Sequence, residues 1–485
     1  MADNHNLQNP HAIMVAYPLQ GHVIPSVHLA IKLATKGFTI TFINTQSIHH
    51  QISKSHSSPG DDIFAGARKS GLDIRYATVT DGLPLGFDRS LNHDQFMECL
   101  FHVFSAHVDE LVGDIVRRSD PPATCLIADT FFVWSSMVAE KYKLVNVSFW
   151  TEPALVMTLY YHWDLLVENG HFGGSDNRKD SIDYIPGLGP IKPTDLMSYL
   201  QAADIRTVVH RIIYKAFAEV KKADIIICNT VQELEPETIS ALHQKQPIYA
   251  IGPVFPSGFT KSPVATNLWP ESDCTQWLDP RPHGSVLYIS FGSYAHTRKQ
   301  DIVEIAHGLL LSGVNFVWVL RPDIVSSDDT DFLPAGFEED IKERGVIVPW
   351  CCQVEVISHP TVGGFLTHCG WNSIFESVWC GVPLLCFPLL TDQFTNRKLV
   401  VDDWKVGLNL CDERPITREK VADNINRLMS GETSDKLRNE MKKMRKTLED
   451  AVATNGNGSS EINFKQFVNE VKVKIRQRSG IAIGT

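Results

Sequence analysis

Short apolar runs alternate with helix-like segments from one end of the chain to the other. AIMVAYP (12–18) has the continuous apolar character of a strand buried on both faces. PSVHLAIKLATKG follows. Val27, Ala30, Ile31 and Ala34 share one face of a helical repeat, Pro25 stands near its first position, and Gly37 is its stop. FTITFINT and LDIRYATV are the next strands, and a helical pattern covers roughly 91–118. ATCLIAD (123–129), VNVSFW (145–150), ADIIICN (223–229) and IYAIGPV (248–254) supply further strands. The texture then changes to a Pro-, Ser- and Gly-rich stretch at 255–284 that reads as a linker. After it the strand–turn–helix opening repeats: SVLYISFGS (285–293), the helix KQDIVEIAHGLLLSG, and the strands NFVWVLR, GVIVPW, VGGFLTH and VPLLCFP.

Continuous apolar strands separated by helices define α/β domains with parallel sheets covered on both faces. The predicted architecture is therefore two doubly wound, Rossmann-like domains facing across a cleft, at 1–254 and 285–460. A terminal helix in 461–485, which opens with EINFKQFVNEVKVKIRQ, would pack back across both. Sheets of this kind bind ligands at the carboxyl ends of their strands, so a cleft between two of them collects both sets of ends.

Composition narrows the function. With 485 residues, 43% apolar and 21% charged, the chain is a multidomain soluble protein, and its net charge of −11 argues against a nucleic-acid binder. Ten cysteines are scattered without a C-x-x-C pair, as buried reduced thiols in a cytoplasmic protein would be. The first residues lack the basic and apolar regions of a signal peptide, and no apolar stretch is long enough to span a membrane. The sequons at 146–148 and 457–459 would then be idle. A monomer in the cytoplasm, with no membrane span, is the expectation.

Three features could carry chemistry. THCGWNSIFES (367–377) joins a strand to a helix, which places the amides of Asn372 and Ser373 at a helix N-terminus, an anion site to which Ser373 and His368 add donors. A diphosphate suits this better than a metal, since His368 and Cys369 are adjacent and point apart, and Cys369 in its apolar setting reads as a small buried residue. The G-x-G-x-x-G fingerprint of dinucleotide sites is absent after both opening strands. His22 lies in the turn after the first strand, and Asp129 ends CLIAD at the same sheet edge, so a carboxylate could orient the imidazole. Asp129 could equally cap a helix beginning near Phe132. Asp329 and Asp331 form a D-x-D within the polar SSDDTDFLPAG, where a solvated loop is the plainer reading than a metal site.

Residues 350–393, WCCQVEVISHPTVGGFLTHCGWNSIFESVWCGVPLLCFPLLTDQ, closely resemble the 44-residue signature of plant UDP-sugar-dependent glycosyltransferases, family-1 enzymes of the GT-B fold. The PLQGH and FGS turns extend the likeness over roughly 12–475. The resemblance implies a UDP-sugar donor and a small-molecule acceptor as partners, with neither cofactor nor metal. By it, Trp350 and Cys351 hold the uracil, Gln353 and Glu376 the ribose, and His368, Asn372, Ser373 and Ser293 the diphosphate. Trp371, Asp392 and Gln393 face the sugar and Thr151 its 6-hydroxyl, the closing Gln going with glucose. His22 is implied as general base with Asp129 behind it, for transfer with inversion. The first domain is implied to bind the acceptor, with Gln20, Phe131, Trp134 and Leu390 as candidate lining residues, Trp134 standing equally well as helix core. Cys352 departs from the usual proline, and Gln20 from a small or hydroxyl residue. A nucleotide-sugar-binding protein with little transferase activity is the alternative, and a metal-dependent transferase using Asp329 and Asp331 a third.

Overall fold

A computed structural model describes residues 9–55, 62–174, 176–256, 258–260, 269–325, 332–411 and 414–478. Asp329 and Asp331 lie outside the described residues.

The first sheet holds seven parallel strands. They are β1 (His11–Val15), β2 (Thr39–Thr45), β3 (Ile74–Val79), β4 (Ala123–Asp129), β5 (Val145–Trp150), β6 (Ile225–Cys228) and β7 (Ile248–Ala250). Their spatial order is β3-β2-β1-β4-β5-β6-β7. The second sheet holds six: β8 (Val286–Ser290), β9 (Asn315–Val319), β10 (Gly345–Val348), β11 (Val362–Thr367), β12 (Leu384–Cys386) and β13 (Gly407–Asn409), ordered β10-β9-β8-β11-β12-β13. Both sheets therefore start in the middle, build to one edge, and cross back to build the other. The reversal falls between β1 and β4 in one and between β8 and β11 in the other, and such switch points open a crevice at the strand ends.

The period of two in a strand explains why these runs are apolar throughout. Ile13 and Val15 of β1 enter one buried cluster while Ala12 and Met14 enter another on the opposite face. In β8, Val286 and Tyr288 share the first cluster, and Leu287 and Ile289 pack into a third. The first cluster runs from Leu126 and Trp150 through to Phe365 and Trp371, so the inner faces of the two domains share one apolar core.

Two helices differ from the sequence reading. The helix after β1 starts at Gln20, not near Pro25, which sits inside it. Leu19 in extended backbone forms the cap, and His22 is consequently in the first turn of the helix rather than in a loop. The single helix expected at 91–118 is two, His93–His102 and Phe104–Arg118, interrupted at Val103. The first half packs on the helix Val208–Val220 and the second on β3, so the bend lets each follow its own neighbour.

The last helix, Ser459–Arg478, lies on the first sheet, where Phe464, Phe467, Val471 and Ile475 enter the same buried cluster as Ala12 and Met14. Lys32 pairs with Glu461 at 2.7 Å, and Asn463 Nδ2 donates to the Ala250 carbonyl at 2.9 Å. Among the described residues no helix is long and apolar enough to cross a membrane.

If the terminal helix is part of the first domain's core, removing a fully buried ring from it should cost as much as removing one from a sheet. Phe467→Ala is expected to lower stability by about 3 kcal/mol, read as a fall in the urea midpoint. A change below about 0.5 kcal/mol, the range of ordinary surface substitutions, would show that the helix is only appended.

Candidate active site

One cleft runs between the carboxyl ends of the two sheets. It brings together His22, Thr151, Gln20, Phe131, Ser293, Trp350, Cys351, Gln353, His368, Trp371, Asn372, Ser373, Glu376, Leu390, Asp392 and Gln393. Asp129 lies directly beneath, its side chain only 1% exposed. Trp134 is not in the cleft: it is buried against Phe104 and Phe132, the helix-core position.

His22 Nδ1 donates to Asp129 Oδ2 at 2.8 Å, and Thr151 Oγ1 lies 3.0 Å from the same nitrogen. The other Asp129 oxygen accepts from the Phe131 amide at 2.9 Å. Asp129 thus orients the imidazole and also closes the local turn, whereas the following helix starts only at Ser135. Tyr17 and Phe131 flank the ring at centroid distances of 5.4 and 5.7 Å. With Nδ1 committed, Nε2 is the nitrogen left for the cleft.

Across from it, the helix Trp371–Cys380 begins at the cleft with Gly370 as its cap. The His368 imidazole is wedged between two backbones: a Cβ added at Gly292 or at Gly370 would stand 2.5 Å from its Nε2. Gly292 is left-handed at φ 74°, so both its conformation and the ring's approach require glycine. Arg321, itself 1% exposed, holds that turn by donating to the Gly292 and Ala295 carbonyls. Burial first, and then the Arg321 charge, push His368 down to about 4, which leaves it a neutral imidazole at neutral pH.

Gln353 Nε2 donates to Glu376 Oε2 at 2.7 Å and to Ser373 Oγ at 3.0 Å, while its own oxygen accepts from Tyr288 at 3.3 Å. Burial raises Glu376 to about 7, opposed by the Gln353 bond. Asp392 is also raised by burial, though Thr391 and Asn396 donate to it. Gln393 Oε1 accepts from the Leu389 and Leu390 amides, both at 2.9 Å, which turns its NH₂ the other way. No lysine or arginine lines the cleft among the described residues, and no group of three metal-ligating side chains converges there or elsewhere among them. Cys369 is fully buried with its thiol pushed far up by burial, and it takes a left-handed φ of 68°.

The cleft walls are fastened to each other. Trp371 Nε1 donates to the Asn229 carbonyl at 2.8 Å. Asn372 Nδ2 donates to the Gly21 carbonyl at 2.9 Å, an acceptor left free because Pro25, four residues on, has no N–H. Ser198 exchanges two bonds with Thr391, and Tyr294 bonds His93 at 2.5 Å.

Tyr17, Glu152 and Tyr294 went unnamed, although Tyr17 lies at the carboxyl end of a predicted strand and Glu152 and Tyr294 directly follow the named Thr151 and Ser293, which is where a cleft should be sought. Tyr199 and His93 also line the cleft from helices that carry no local signal.

A helix N-terminus thus faces a carboxylate-backed histidine across a cleft between two Rossmann-like domains. The family described as UDP-glucoronosyl and UDP-glucosyl transferase matches residues 214–445. UDP-glycosyltransferase 86A1 of Arabidopsis thaliana is 66% identical over 97% of this chain and 96% of its own length. The structure of a UDP-glucose: anthocyanidin 3-O-glucosyltransferase in complex with UDP superposes with TM-score 0.81 at 27% identity, covering 96% of this chain and 99% of that one. Phytolacca americana UGT2, complexed with UDP-2fluoro-glucose and pterostilbene, gives 0.77 at 26% identity over 95% and 99%. The chain belongs to the plant UDP-glycosyltransferases, GT-B enzymes that use UDP-sugars.

The raised Glu376 has a consequence for stability. A carboxyl whose folded pKa lies above its unfolded value favours the fold fully below the unfolded value, and this contribution is lost as pH rises through the folded one, here about 7. Glu376→Gln cannot ionise, so its stability relative to wild type should rise by about 2 kcal/mol between pH 5 and pH 8, measured by urea unfolding at each pH. A pH-independent difference would contradict the buried, proton-holding carboxyl.

Proposed function

We propose that this enzyme transfers glucose from UDP-glucose, with inversion, to a hydroxyl of a small lipophilic acceptor, giving a β-glucoside. The observation that carries the reading is the 2.8 Å bond from His22 Nδ1 to Asp129, which frees Nε2 opposite the anion cradle. His22 is the general base and Asp129 its positioning residue. Nε2 takes the acceptor proton as the acceptor oxygen attacks the anomeric carbon, and UDP leaves from the opposite face. The geometry parallels that of inverting hydrolases, with the acceptor in place of water.

Negative charge grows on the diphosphate as the bond breaks. The Asn372 and Ser373 amides at the helix start, the Ser373 and Ser293 hydroxyls and the neutral His368 supply the stabilisation, in a cleft wall without cationic side chains. This support comes from oriented dipoles rather than from a metal, so transfer should proceed undiminished in EDTA. Trp350 offers its ring and Cys351 its backbone to uracil, and Gln353 and Glu376 meet the ribose. Trp371, Asp392 and the outward NH₂ of Gln393 meet the sugar, with Thr151 beside them. The apolar residues Phe131 and Leu390, with Gln20, face the acceptor. The named activity of the anthocyanidin glucosyltransferase and the Phytolacca complex with a glucose donor analogue support glucose and a lipophilic acceptor. The soluble chain acting alone in the cytoplasm remains part of this proposal, as do the boundaries at 254 and 285.

His22→Ala should cut turnover by about 10²–10⁴-fold, the usual worth of general-base assistance, while UDP affinity by calorimetry stays within about twofold. Wild-type turnover in that variant would remove His22 from the chemistry.

A further inference from the structure

Glu152 is a charged-type side chain of the cleft that the proposed transfer does not use. Glu152 follows Thr151 at the end of β5 and lines the cleft. Its backbone is rigidly placed. Cys228 Sγ donates to the Glu152 carbonyl at 3.5 Å, Trp150 Nε1 donates to Pro153 O at 2.8 Å, and Glu235 accepts from the amides of Ala154 and Leu155. The side chain cannot swing away with a mobile loop. Yet Glu152 Oε2 is sealed from solvent with no protein group in hydrogen-bonding reach. Orphaned buried carboxyl oxygens are costly and persist where a ligand supplies the partner.

Its surroundings disfavour the charged form. Burial, then the charges of Asp392 and Asp129, push the carboxyl well above the usual carboxylate range. Tyr160 and Tyr199 feel the same carboxyl from the acceptor side, and Cys228 from beneath. Glu152 therefore resists ionisation where it stands, between Asp392 and the acceptor wall. A carboxyl oxygen accepts from a hydroxyl in either protonation state, and a protonated carboxyl also donates, so an alcohol or phenol is its natural mate. Much of that wall is apolar, including Met97, Phe131, Val209, Ile212 and Ile213. Sites that hydrogen-bond a substrate hydroxyl reject analogues lacking it far more strongly than apolar sites reject an extra methylene.

We infer that Glu152 is a specificity-determining residue that hydrogen-bonds a second hydroxyl of the acceptor, beside the one glycosylated, so that the enzyme prefers dihydroxylated lipophilic acceptors to their monohydroxylated counterparts. This rests on the acceptor site placed next to His22 in the Proposed function.

The test compares catechol with phenol and 2,3-dihydroxynaphthalene with 2-naphthol, using UDP-glucose and the wild type, Glu152→Gln and Glu152→Leu. The diol-to-mono-ol ratio of kcat/KM should be at least about tenfold in the wild type, mostly kept in Glu152→Gln, and reduced to about one in Glu152→Leu through loss on the diol. Calorimetric binding of the same pairs in the presence of UDP should give the same ordering without any turnover. A ratio unchanged by Glu152→Leu would overturn the inference. So would equal losses on both acceptors with a raised KM for UDP-glucose, which would make Glu152 a donor contact. In either case mono-ol transfer by the wild type leaves the transferase reading standing. Diol-selective binding with no transfer to any probe would overturn that reading alone.

Discussion

Everything in the cleft depends on one hydrogen bond, His22 Nδ1 to Asp129 Oδ2, and that bond depends on strand order. The two residues are more than a hundred positions apart in the chain. They meet because β1 and β4 are neighbours at the point where the first sheet reverses direction. A sheet in which β1 and β4 were not neighbours would leave the imidazole without its carboxylate. The bond fixes which nitrogen carries the proton, and so which one is left for the cleft. The second sheet repeats the device for another end. Its own reversal, between β8 and β11, places Gly292 against His368 and opens the helix N-terminus into the cleft that His22 lines.

The two reversals would be of little use if the domains drifted. The structure ties the helix that carries His22 to the turn before the helix Trp371–Cys380 through a defect. Pro25 inside the helix Gln20–Ala34 leaves the Gly21 carbonyl without its helical partner, and Asn372 takes it. Trp371, on the same turn, reaches Asn229 of the other domain. Residues adjacent in the chain therefore line the cleft and hold the domains in register at once. That dual use explains why a short strand-to-helix turn is so densely polar. It also leaves Cys369 to a packing role, buried between Thr367 and Asn396.

Much of this was legible in the sequence because its signals are local. Buried parallel strands are continuous apolar runs, and each reads without knowledge of its neighbours. His22 and Asp129 could be paired because both sit at strand ends, where the fold class alone locates the cleft. The signature stretch puts most of the residues expected on the donor side within 44 positions, Ser293 and Thr151 standing outside it. The failures share a cause as well. Pro25 usually marks a helix start, and only the tertiary use of the freed Gly21 carbonyl makes it tolerable one turn inside. Trp134 follows Phe131 closely in sequence, but its side chain turns to Phe104 and Phe132 in the core, a choice set by packing. Glu152 and Tyr199 line the cleft from separate elements and share no spacing that could announce them.

The account stands or falls on Asp129 acting through the tautomer of His22 rather than as a local cap. Asp129→Asn keeps the size and one oxygen for the Phe131 amide but presents an NH₂ where the carboxylate accepted from Nδ1. The decisive measurement is the single-turnover rate of glucose transfer in this variant, beside its UDP affinity. A fall of about 10³–10⁴-fold with UDP affinity within about twofold is predicted, the scale expected when an imidazole is held in the wrong tautomer. A rate within about tenfold of wild type would mean that the bond between His22 and Asp129 is structural, and that the chemistry lies elsewhere in the cleft.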